Sequence, residues 1–168
     1  KKNHLNLINV GRLEDQKDHH TLIKGINSIK NKIKIKLLII GSGKLQEQLS
    51  SLIKDFRLEK NIKILNNILN PYPYILKSDL FILSSIYEGL PNVLLEAITL
   101  NKFIISTDCP TGPKEILSNG KGGILVPIKN YRKLGKEIIK FKENKRLLKK
   151  KMMFAKSQIY RFDKKKKF

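Results

Sequence analysis

Several short, largely apolar runs divide this chain, and each ends at a glycine or at a polar loop. They lie at residues 5–10, 35–40, 61–65, 80–83, 103–106 and 123–126. These runs are apolar through most of their length rather than alternating apolar with polar residues, which is typical of strands buried on both faces. The runs therefore predict a sheet that is covered by helices on each side.

Between these runs, apolar residues recur at the spacing of a helix. The first helix carries Leu22, Ile23, Ile26 and Ile29 on one face, and Asp18 is well placed to cap its start. A further helix is expected at residues 92–100, short helices at 71–77 and 114–117, and two more after residue 128. Strands that alternate with helices predict an α/β fold, a Rossmann-like parallel sheet of about six strands with helices on both faces.

Length and composition limit the classes of protein that fit. The 168 residues suit a single domain, and no apolar run is long enough to span a membrane. The lone cysteine, Cys109, cannot form an internal disulfide and fits a reducing cytosol. The net charge of +21 comes from lysines spread along the whole chain, which is the pattern of a generally solvated basic surface. The run at residues 164–167 is read as a frayed terminus, with attraction to a membrane surface as the alternative.

Ligands of such sheets bind beyond the carboxyl ends of the strands. The loops at residues 11–17, 41–44, 87–92 and 108–114 leave that edge, so we expect all four to border one crevice. Arg12 and Lys17 lie in the first loop and could both reach a diphosphate, with two exposed surface cations as the alternative. Because the chain has many lysines and few arginines, the sequence favours Arg12 over Lys17. Gly41 and Gly43 match neither a dinucleotide fingerprint nor a P-loop, and they predict a tight turn.

The most specific segment spans residues 84–96, where a strand turns abruptly into a helix. Gly89 permits an unusual backbone angle, Pro91 suits the first helical position, and the free N–H groups that follow can bind an anion. Glu88 and Glu96 flank this turn, and carboxylates accept paired hydrogen bonds from vicinal sugar hydroxyls. The alternative is that both glutamates are solvated surface residues, but Glu96 stands within an apolar stretch where a charge needs a partner or water.

Three motifs in this order resemble one enzyme family. They are V-G-R-L-x-x-Q-K-D-H from residue 10, E-G-L-P-N-V-L-L-E-A from residue 88 and T-D-C-P-T-G-P-K-E-I-L from residue 107. Together they resemble the nucleotide-binding C-terminal half of the family 4 (group 1) glycosyltransferases, with a match over about residues 9–127. Members of that family have two Rossmann-like domains with the active site between them, the GT-B fold.

The resemblance implies a role for each candidate residue. Arg12 and Lys17, beside Gly11, would neutralise the diphosphate of a nucleotide-sugar donor, and the backbone N–H groups of Leu90, Asn92 and Val93, next to Gly89, would bind phosphate or the transferred sugar. Glu88 would be the catalytic residue that contacts and positions the donor sugar, and Glu96 would hold the ribose hydroxyls. Backbone groups near residues 64–67 would hold the base. The implied reaction is transfer of a sugar to an acceptor hydroxyl with retention of configuration, and neither a metal nor another cofactor is expected, since no Asp-x-Asp occurs.

The resemblance also implies partners. Residues 1–168 would form one donor-binding domain, with residues 128–168 as C-terminal helices and a basic tail and residues 159–162 as the start of a final helix. The acceptor-binding N-terminal domain would lie outside these residues, leaving the chain alone a weak binder and a poor catalyst. The expected setting is bacterial polysaccharide or glycolipid synthesis in the cytoplasm or at the inner face of an anionic membrane. The rival interpretations are a vestigial nucleotide-binding scaffold and a basic nucleic-acid-binding module, of which the second lacks an aromatic-rich basic stripe.

Overall fold

The chain folds around a six-stranded parallel sheet, as a computed structural model that describes residues 4–162 shows. The strands are β1 (Leu5–Val10), β2 (Ile35–Ile40), β3 (Ile62–Leu65), β4 (Leu80–Leu83), β5 (Phe103–Thr107) and β6 (Ile124–Val126). The helices are α1 (His19–Ile29), α2 (Gln46–Asp55), α3 (Tyr72–Lys77), α4 (Asn92–Thr99), α5 (Pro113–Ile116), α6 (Tyr131–Glu143) and α7 (Lys145–Ser157). Short 3-10 helices at Asp15–Lys17 and Ile159–Phe162 complete the described elements.

The strands follow the order β3-β2-β1-β4-β5-β6, and every neighbouring pair is parallel. The predicted fold class is therefore confirmed. Each strand begins and ends within one residue of its predicted position. The long pairing of β1 with β2 extends from Leu5 opposite Ile35 to Val10 opposite Ile40, so the carboxyl ends of these central strands are level.

Alternate residues of the strands supply two separate cores, one on each face of the sheet. On one face, Leu7 and Ile39 pack with apolar residues of α1, α2 and α6. On the other face, Ile8 and Phe81 pack with residues of α3, α4, α5 and α7. Because both faces are covered by helices, the central strands β1, β4 and β5 are largely buried on both sides, as their composition predicts, whereas Lys36 in β2 and Lys63 in the edge strand β3 are exposed.

Asp18 connects the 3-10 turn to α1. It has a left-handed backbone conformation with φ 43°, and its carboxylate accepts a hydrogen bond from the backbone N–H of Thr21 at 3.1 Å. The predicted cap of α1 is therefore confirmed.

The C-terminal part of the described chain returns to the second core. Ala155 of α7 is buried there, and Ile159 and Phe162 pack against the same core. The segment expected to begin a final helix is a 3-10 turn in the described residues. The basic run at residues 164–167 lies outside the described residues. Among residues 4–162, no helix combines the length and apolar character that crossing a membrane requires.

Replacing the cap of α1 tests its contribution to stability. We expect Asp18→Ala to lower the free energy of unfolding by about 1 kcal/mol, because the N–H of Thr21 loses its acceptor. Asp18→Asn keeps a side-chain oxygen and should lose much less. Urea unfolding of both variants measures the difference, and equal losses would show that the cap is not the cause.

Candidate functional site

The site lies where the direction of strand order reverses, at the carboxyl ends of β1 and β4. These strands are neighbours, with Leu7 opposite Leu80 and Ile8 opposite Phe81. The loop after β1 and the loop after β4 leave the sheet side by side at this point. In an open parallel sheet this is the place where ligands bind.

Glu88 is the centre of the site and is almost completely buried, with 8% of its surface exposed. Its Oε1 accepts a hydrogen bond from Lys17 Nζ at 2.6 Å and another from Ser85 Oγ at 2.5 Å. The interpretation of Glu88 as a solvated loop residue is therefore wrong. Since both donors use Oε1, and no described side chain donates to Oε2, the second carboxylate oxygen is available to a ligand hydroxyl.

Backbone contacts join the loop after β1 to the loop after β4. The N–H of Ile86 donates to the carbonyl of Gln16 at 2.8 Å, and the side chain of Gln16 donates to the carbonyl of Tyr87 at 3.0 Å. Ser84 Oγ donates to the carbonyl of Lys17 at 2.7 Å. These three bonds place Lys17 beside Glu88 although 70 residues separate them in sequence.

Two threonines, one at the end of β5 and one in the loop that follows it, hold the other side of the Glu88 loop. Thr107 Oγ1 donates to the carbonyl of Ser85 at 2.6 Å. Thr111 Oγ1 donates to the carbonyl of Glu88 itself. The loop is thus fixed from both neighbouring strands, which orients the carboxylate.

The glycine with an unusual backbone angle is Gly112 rather than Gly89. Gly112 has φ 71°, and a Cβ there would lie 2.6 Å from Pro91 Cδ and collide with the carbonyl of Gly89. Gly89 has no positive φ, and a Cβ there would meet nothing within 4 Å. The expectation that Gly89 is needed for an unusual backbone angle is therefore wrong. The absence of a side chain at Gly89 instead leaves open space at the crevice.

The start of α4 presents free backbone donors. Pro91 is the residue before the first helical position, with φ −73° and ψ 92°, rather than the first helical residue itself. The N–H of Leu94 bonds to the carbonyl of Pro91 at 2.9 Å, but the N–H groups of Leu90, Asn92 and Val93 have no acceptor among the described residues. A helix start of this kind attracts an anion.

Glu96 lies one turn further along α4 and borders a different hollow. It lines a cavity of about 330 Å³ between α3 and α4, together with Tyr72, Asn92 and Leu95. Glu96 is half-buried and, within the described part of the chain, makes no side-chain hydrogen bond or ion pair. Its carboxylate is consequently available to a ligand in this cavity.

The two candidate cations occupy different positions. Lys17 is largely buried, and its aliphatic stem packs 3.5 Å from where a Cβ on Gly11 would lie. Arg12 points outward with 68% of its side chain exposed and pairs with Glu14 at 3.4 Å. Lys17 therefore contacts Glu88 within the site, whereas the Arg12 side chain is exposed to solvent and does not contact Glu88.

Gly41 and Gly43 allow the second loop to pack directly on the first. A Cβ on Gly43 would lie 2.5 Å from the carbonyl oxygen of Leu13, and one on Gly41 would collide with the carbonyl of Gly11. The N–H of Leu13 in turn donates to the carbonyl of Ser42 at 2.9 Å. These glycines allow the backbone of one loop to approach the other closely. The turn that follows is closed by a hydrogen bond from the N–H of Gln46 to the carbonyl of Gly43 at 3.2 Å.

The segment expected to hold the base follows β3. Asn67 has a left-handed conformation with φ 55°. The side-chain oxygen of Asn66 is buried and has no hydrogen-bond partner among the described residues. It lines a groove toward α2 that also contains Gln46 and Ser50.

A buried histidine supports β1 below the site. His19 is fully buried, and its Nε2 lies 3.0 Å from Asn9 Oδ1. Asn9 Nδ2 donates to the carbonyl of Ile82 in β4 at 2.9 Å, so Asn9 Oδ1 is the acceptor and His19 Nε2 carries the proton. Burial lowers the pKa of His19 to about 4, because its Nδ1 has no partner to stabilise a second proton.

Neither a reactive thiol nor a metal-binding cluster is found among the described residues. Burial, followed by the nearby charge of Glu88, raises the pKa of the Cys109 thiol, so it is not a thiolate at neutral pH. Among residues 4–162, no three His, Cys, Asp or Glu side chains are grouped so that they could hold a metal ion.

Sequence reasoning missed several residues that build the site. Ser85, Thr107 and Thr111 fix the Glu88 loop, and Asn9 with His19 ties β1 to β4. Their positions in the sequence could have indicated them, because Ser85, Thr107 and Asn9 lie at or near the carboxyl ends of predicted strands.

Comparison with known proteins gives a family match along nearly the whole chain. A family model described as "Glycosyl transferases group 1" matches residues 1–158. The N-acetylgalactosamine-N,N'-diacetylbacillosaminyl-diphospho-undecaprenol 4-alpha-N-acetylgalactosaminyltransferase of Campylobacter jejuni is 32% identical over 158 residues, which cover 94% of this chain and 43% of that protein. The chain therefore spans less than half the length of this curated relative.

Solved structures share the fold. TarM of S. aureus, in a complex with Fondaparinux, alpha-GlcNAc-glycerol and UDP, has a TM-score of 0.86 at 21% identity, covering 96% of this chain and 34% of that one. The C-terminal domain of LpcC, a group 1 family glycosyl transferase of Francisella tularensis, has a TM-score of 0.82 at 19% identity, covering 94% of this chain and 85% of that one. The fold is thus that of a glycosyltransferase domain.

The two glycines of the Glu88 region should respond differently to the same substitution. We expect Gly112→Ala to lower the free energy of unfolding by about 1–3 kcal/mol, because alanine at this φ is strained and its Cβ collides with the Gly89 backbone. Gly89→Ala is the matched control and should leave stability unchanged. Thermal and urea unfolding measure both, and a destabilised Gly89→Ala would contradict the geometry.

His19 should make stability depend on pH in acid. Its pKa is about 4 when folded and near 6.5 when unfolded, so the unfolded chain binds the proton more readily. The stabilisation is complete above pH 6.5 and is lost as the pH falls toward 4, by roughly 3 kcal/mol in total. Urea unfolding at several pH values between 7 and 4.5 gives the free energy of unfolding at each pH. This free energy should fall less steeply with falling pH for His19→Gln than for the wild type. An equal dependence on pH in the two proteins would contradict the role of His19.

Proposed function

Because this chain belongs to the group 1 glycosyltransferases, we propose that it is the donor-binding domain of a retaining glycosyltransferase. It would bind a nucleoside diphosphate sugar at the carboxyl edge of its sheet. The observation that carries this proposal is the contact between Lys17 and the buried carboxylate of Glu88 at the β1–β4 boundary. A cation, an acid and a helix start meet there, and a sugar diphosphate needs all three.

The diphosphate would lie between Lys17 and the start of α4. Lys17 has three N–H donors and uses one on Glu88, which leaves donors for phosphate oxygens. The free N–H groups of Leu90, Asn92 and Val93 add to the positive end of the helix. Arg12 would join when its side chain turns from Glu14 to the crevice. Such donors stabilise the charge that develops on a leaving diphosphate.

The donor sugar would lie against Glu88. Its Oε1 is occupied by Lys17 and Ser85, so Oε2 would accept a hydrogen bond from a sugar hydroxyl and orient the ring. The open space before Gly89 gives the sugar room to approach. In this proposal Glu88 positions the anomeric carbon toward the acceptor. The bond from that carbon to the diphosphate breaks, and the acceptor oxygen forms its bond on the face that the diphosphate leaves, which gives retention of configuration. The departing diphosphate would take the proton of the acceptor hydroxyl.

The nucleoside would extend toward the cavity between α3 and α4. Glu96 has no protein partner there and could accept both ribose hydroxyls. Backbone groups of residues 64–67 would then hold the base. UDP is the first nucleotide to test, since the matched TarM structure contains it. The proposed mode of donor binding needs no metal ion and no further cofactor.

We further propose that the chain works with a second domain that binds the acceptor. It covers 85% of the LpcC C-terminal domain but only 43% of the Campylobacter enzyme, which supports the role of one domain in a larger enzyme. The name of the Campylobacter enzyme specifies a diphospho-undecaprenol-linked acceptor, so bacterial polysaccharide or glycolipid synthesis is the proposed setting. The proposed location is the cytoplasm, at the inner face of the membrane.

Nucleotide binding to the chain tests the donor role. We expect UDP at millimolar concentration to shift amide resonances in the loops at residues 11–17, 87–92 and 108–114. Lys17→Ala should weaken binding by roughly tenfold to a hundredfold, because a hydrogen bond to a charged group is worth about 1.5–3 kcal/mol. NMR titration gives the dissociation constants.

Lys24→Ala is the matched control, because Lys24 is an exposed lysine of α1. It should bind UDP as the wild type does. The proposal fails if neither UDP nor another nucleoside diphosphate perturbs these loops, or if the control variant loses as much affinity as Lys17→Ala. For an enzyme that also contains the acceptor domain, NMR of the product's anomeric carbon tests retention.

A further inference from the structure

Exposed apolar side chains are concentrated on one short segment of the described chain. Nine large hydrophobic residues are exposed among residues 4–146 and 148–162, and four of them belong to this segment, namely Leu69, Tyr72, Tyr74 and Leu76. Leu69 is fully exposed and Leu76 is 56% exposed. Such clustering marks an interaction surface, whereas scattered exposed apolar residues need no explanation.

The segment is held rigidly although its outer side is apolar. Ile75 is fully buried and anchors α3 to the second core. Asn70 accepts a hydrogen bond from the N–H of Tyr72 at 3.0 Å and orders the turn before α3. No charged residue occurs between Lys63 and Lys77. The apolar side chains are therefore displayed by a fixed scaffold and bounded by lysines.

A basic groove lies directly beside α3. It has a volume of about 820 Å³, and Tyr74 and Lys77 form one wall. Lys36, Lys60 and Lys63 border the rest, and Glu59 is the one acidic residue among its lining residues. Apolar strand residues such as Leu38 form the floor. The groove therefore offers several cations around an apolar base.

We propose that this region, the α3 surface, docks on a membrane that contains anionic lipids. The α3 surface comprises Leu69, Tyr72, Tyr74, Leu76, Lys36, Lys60, Lys63 and Lys77. Tyrosines and leucines insert at the boundary between headgroups and acyl chains, and lysines around them attract anionic headgroups. A protein partner would have to supply many carboxylates opposite these lysines, whereas an anionic membrane offers a continuous layer of negatively charged phosphate groups.

The charges of the α3 surface are free to make this contact. Lys60, Lys63 and Lys77 form no ion pair with any described carboxylate. Lys36 donates only to the carbonyl of Lys60. This proposal does not depend on the transfer reaction and places the contact on the described domain rather than on the basic tail.

Vesicle binding by the 168-residue chain tests the proposal. We expect co-sedimentation with vesicles of phosphatidylcholine and phosphatidylglycerol but not with phosphatidylcholine alone. Each lysine near an anionic surface contributes about fivefold in affinity, so Lys60→Glu, Lys63→Glu and Lys77→Glu together should lower vesicle affinity by about a hundredfold or more. Leu69→Ser with Leu76→Ser should lower the binding that remains at high salt, where charge is screened.

The matched control carries the same change of charge on the opposite face. Lys24, Lys54 and Lys136 are exposed on α1, α2 and α6, and their joint replacement by Glu should leave vesicle binding much closer to the wild type. Equal losses in both triple variants would overturn the proposal, because net charge alone would then explain binding. No binding of the wild type to anionic vesicles would also overturn it. Circular dichroism and urea unfolding confirm that each variant is folded.

Discussion

The central strands β1, β4 and β5 are largely buried on both faces, and this leaves few places in the sheet where polar side chains can act. Inside the sheet, a polar group needs a protein partner, because no water is present to replace it. Asn9 shows what this requires, since it is buried in β1 and bonds both to His19 and to the carbonyl of Ile82. At the carboxyl ends the strands stop and the loops begin, so Ser85 can donate its hydroxyl to the Glu88 carboxylate and Thr107 can donate its hydroxyl to the carbonyl of Ser85.

The Glu88 carboxylate depends on these surroundings. A buried charge is tolerated when a counter-charge and hydrogen bonds compensate for the loss of water, and removal of one partner leaves it uncompensated. Lys17 and Ser85 provide this compensation at one oxygen. Gln16 and Ser84 in turn hold the loops after β1 and β4 together, and Thr111 ties the loop after β5 to the carbonyl of Glu88. The acid is thus oriented before any ligand arrives, which reduces the entropy lost on binding.

Sequence predicted the order and type of the elements because hydrophobic pattern dominates local structure. Each of the six strands lies within one residue of its predicted position. The choice between Gly89 and Gly112 could not be made from sequence, since both glycines precede a helix and only the packing of one loop on another shows which needs φ above zero. The hydrogen bond between Lys17 and Glu88 could not be predicted from sequence either, because the two residues are 71 positions apart. The cavity between α3 and α4 depends on how two helices lie side by side, which no local pattern states.

The crevice and the α3 surface lie on different parts of the domain but approach each other at one end. Helix α3 packs on one face of the sheet, whereas the Lys17–Glu88 contact lies at the carboxyl ends of β1 and β4. Leu69 of the α3 surface belongs to the loop after β3 and so lies toward the same edge of the sheet as the crevice. A membrane bound at α3 would therefore approach the nucleoside end of the proposed site rather than the Lys17–Glu88 contact. Tyr72 belongs to the α3 surface and also lines the cavity that contains Glu96. A contact at α3 would for this reason restrict one wall of the proposed nucleoside site, so lipid binding and donor binding would influence each other through this single side chain.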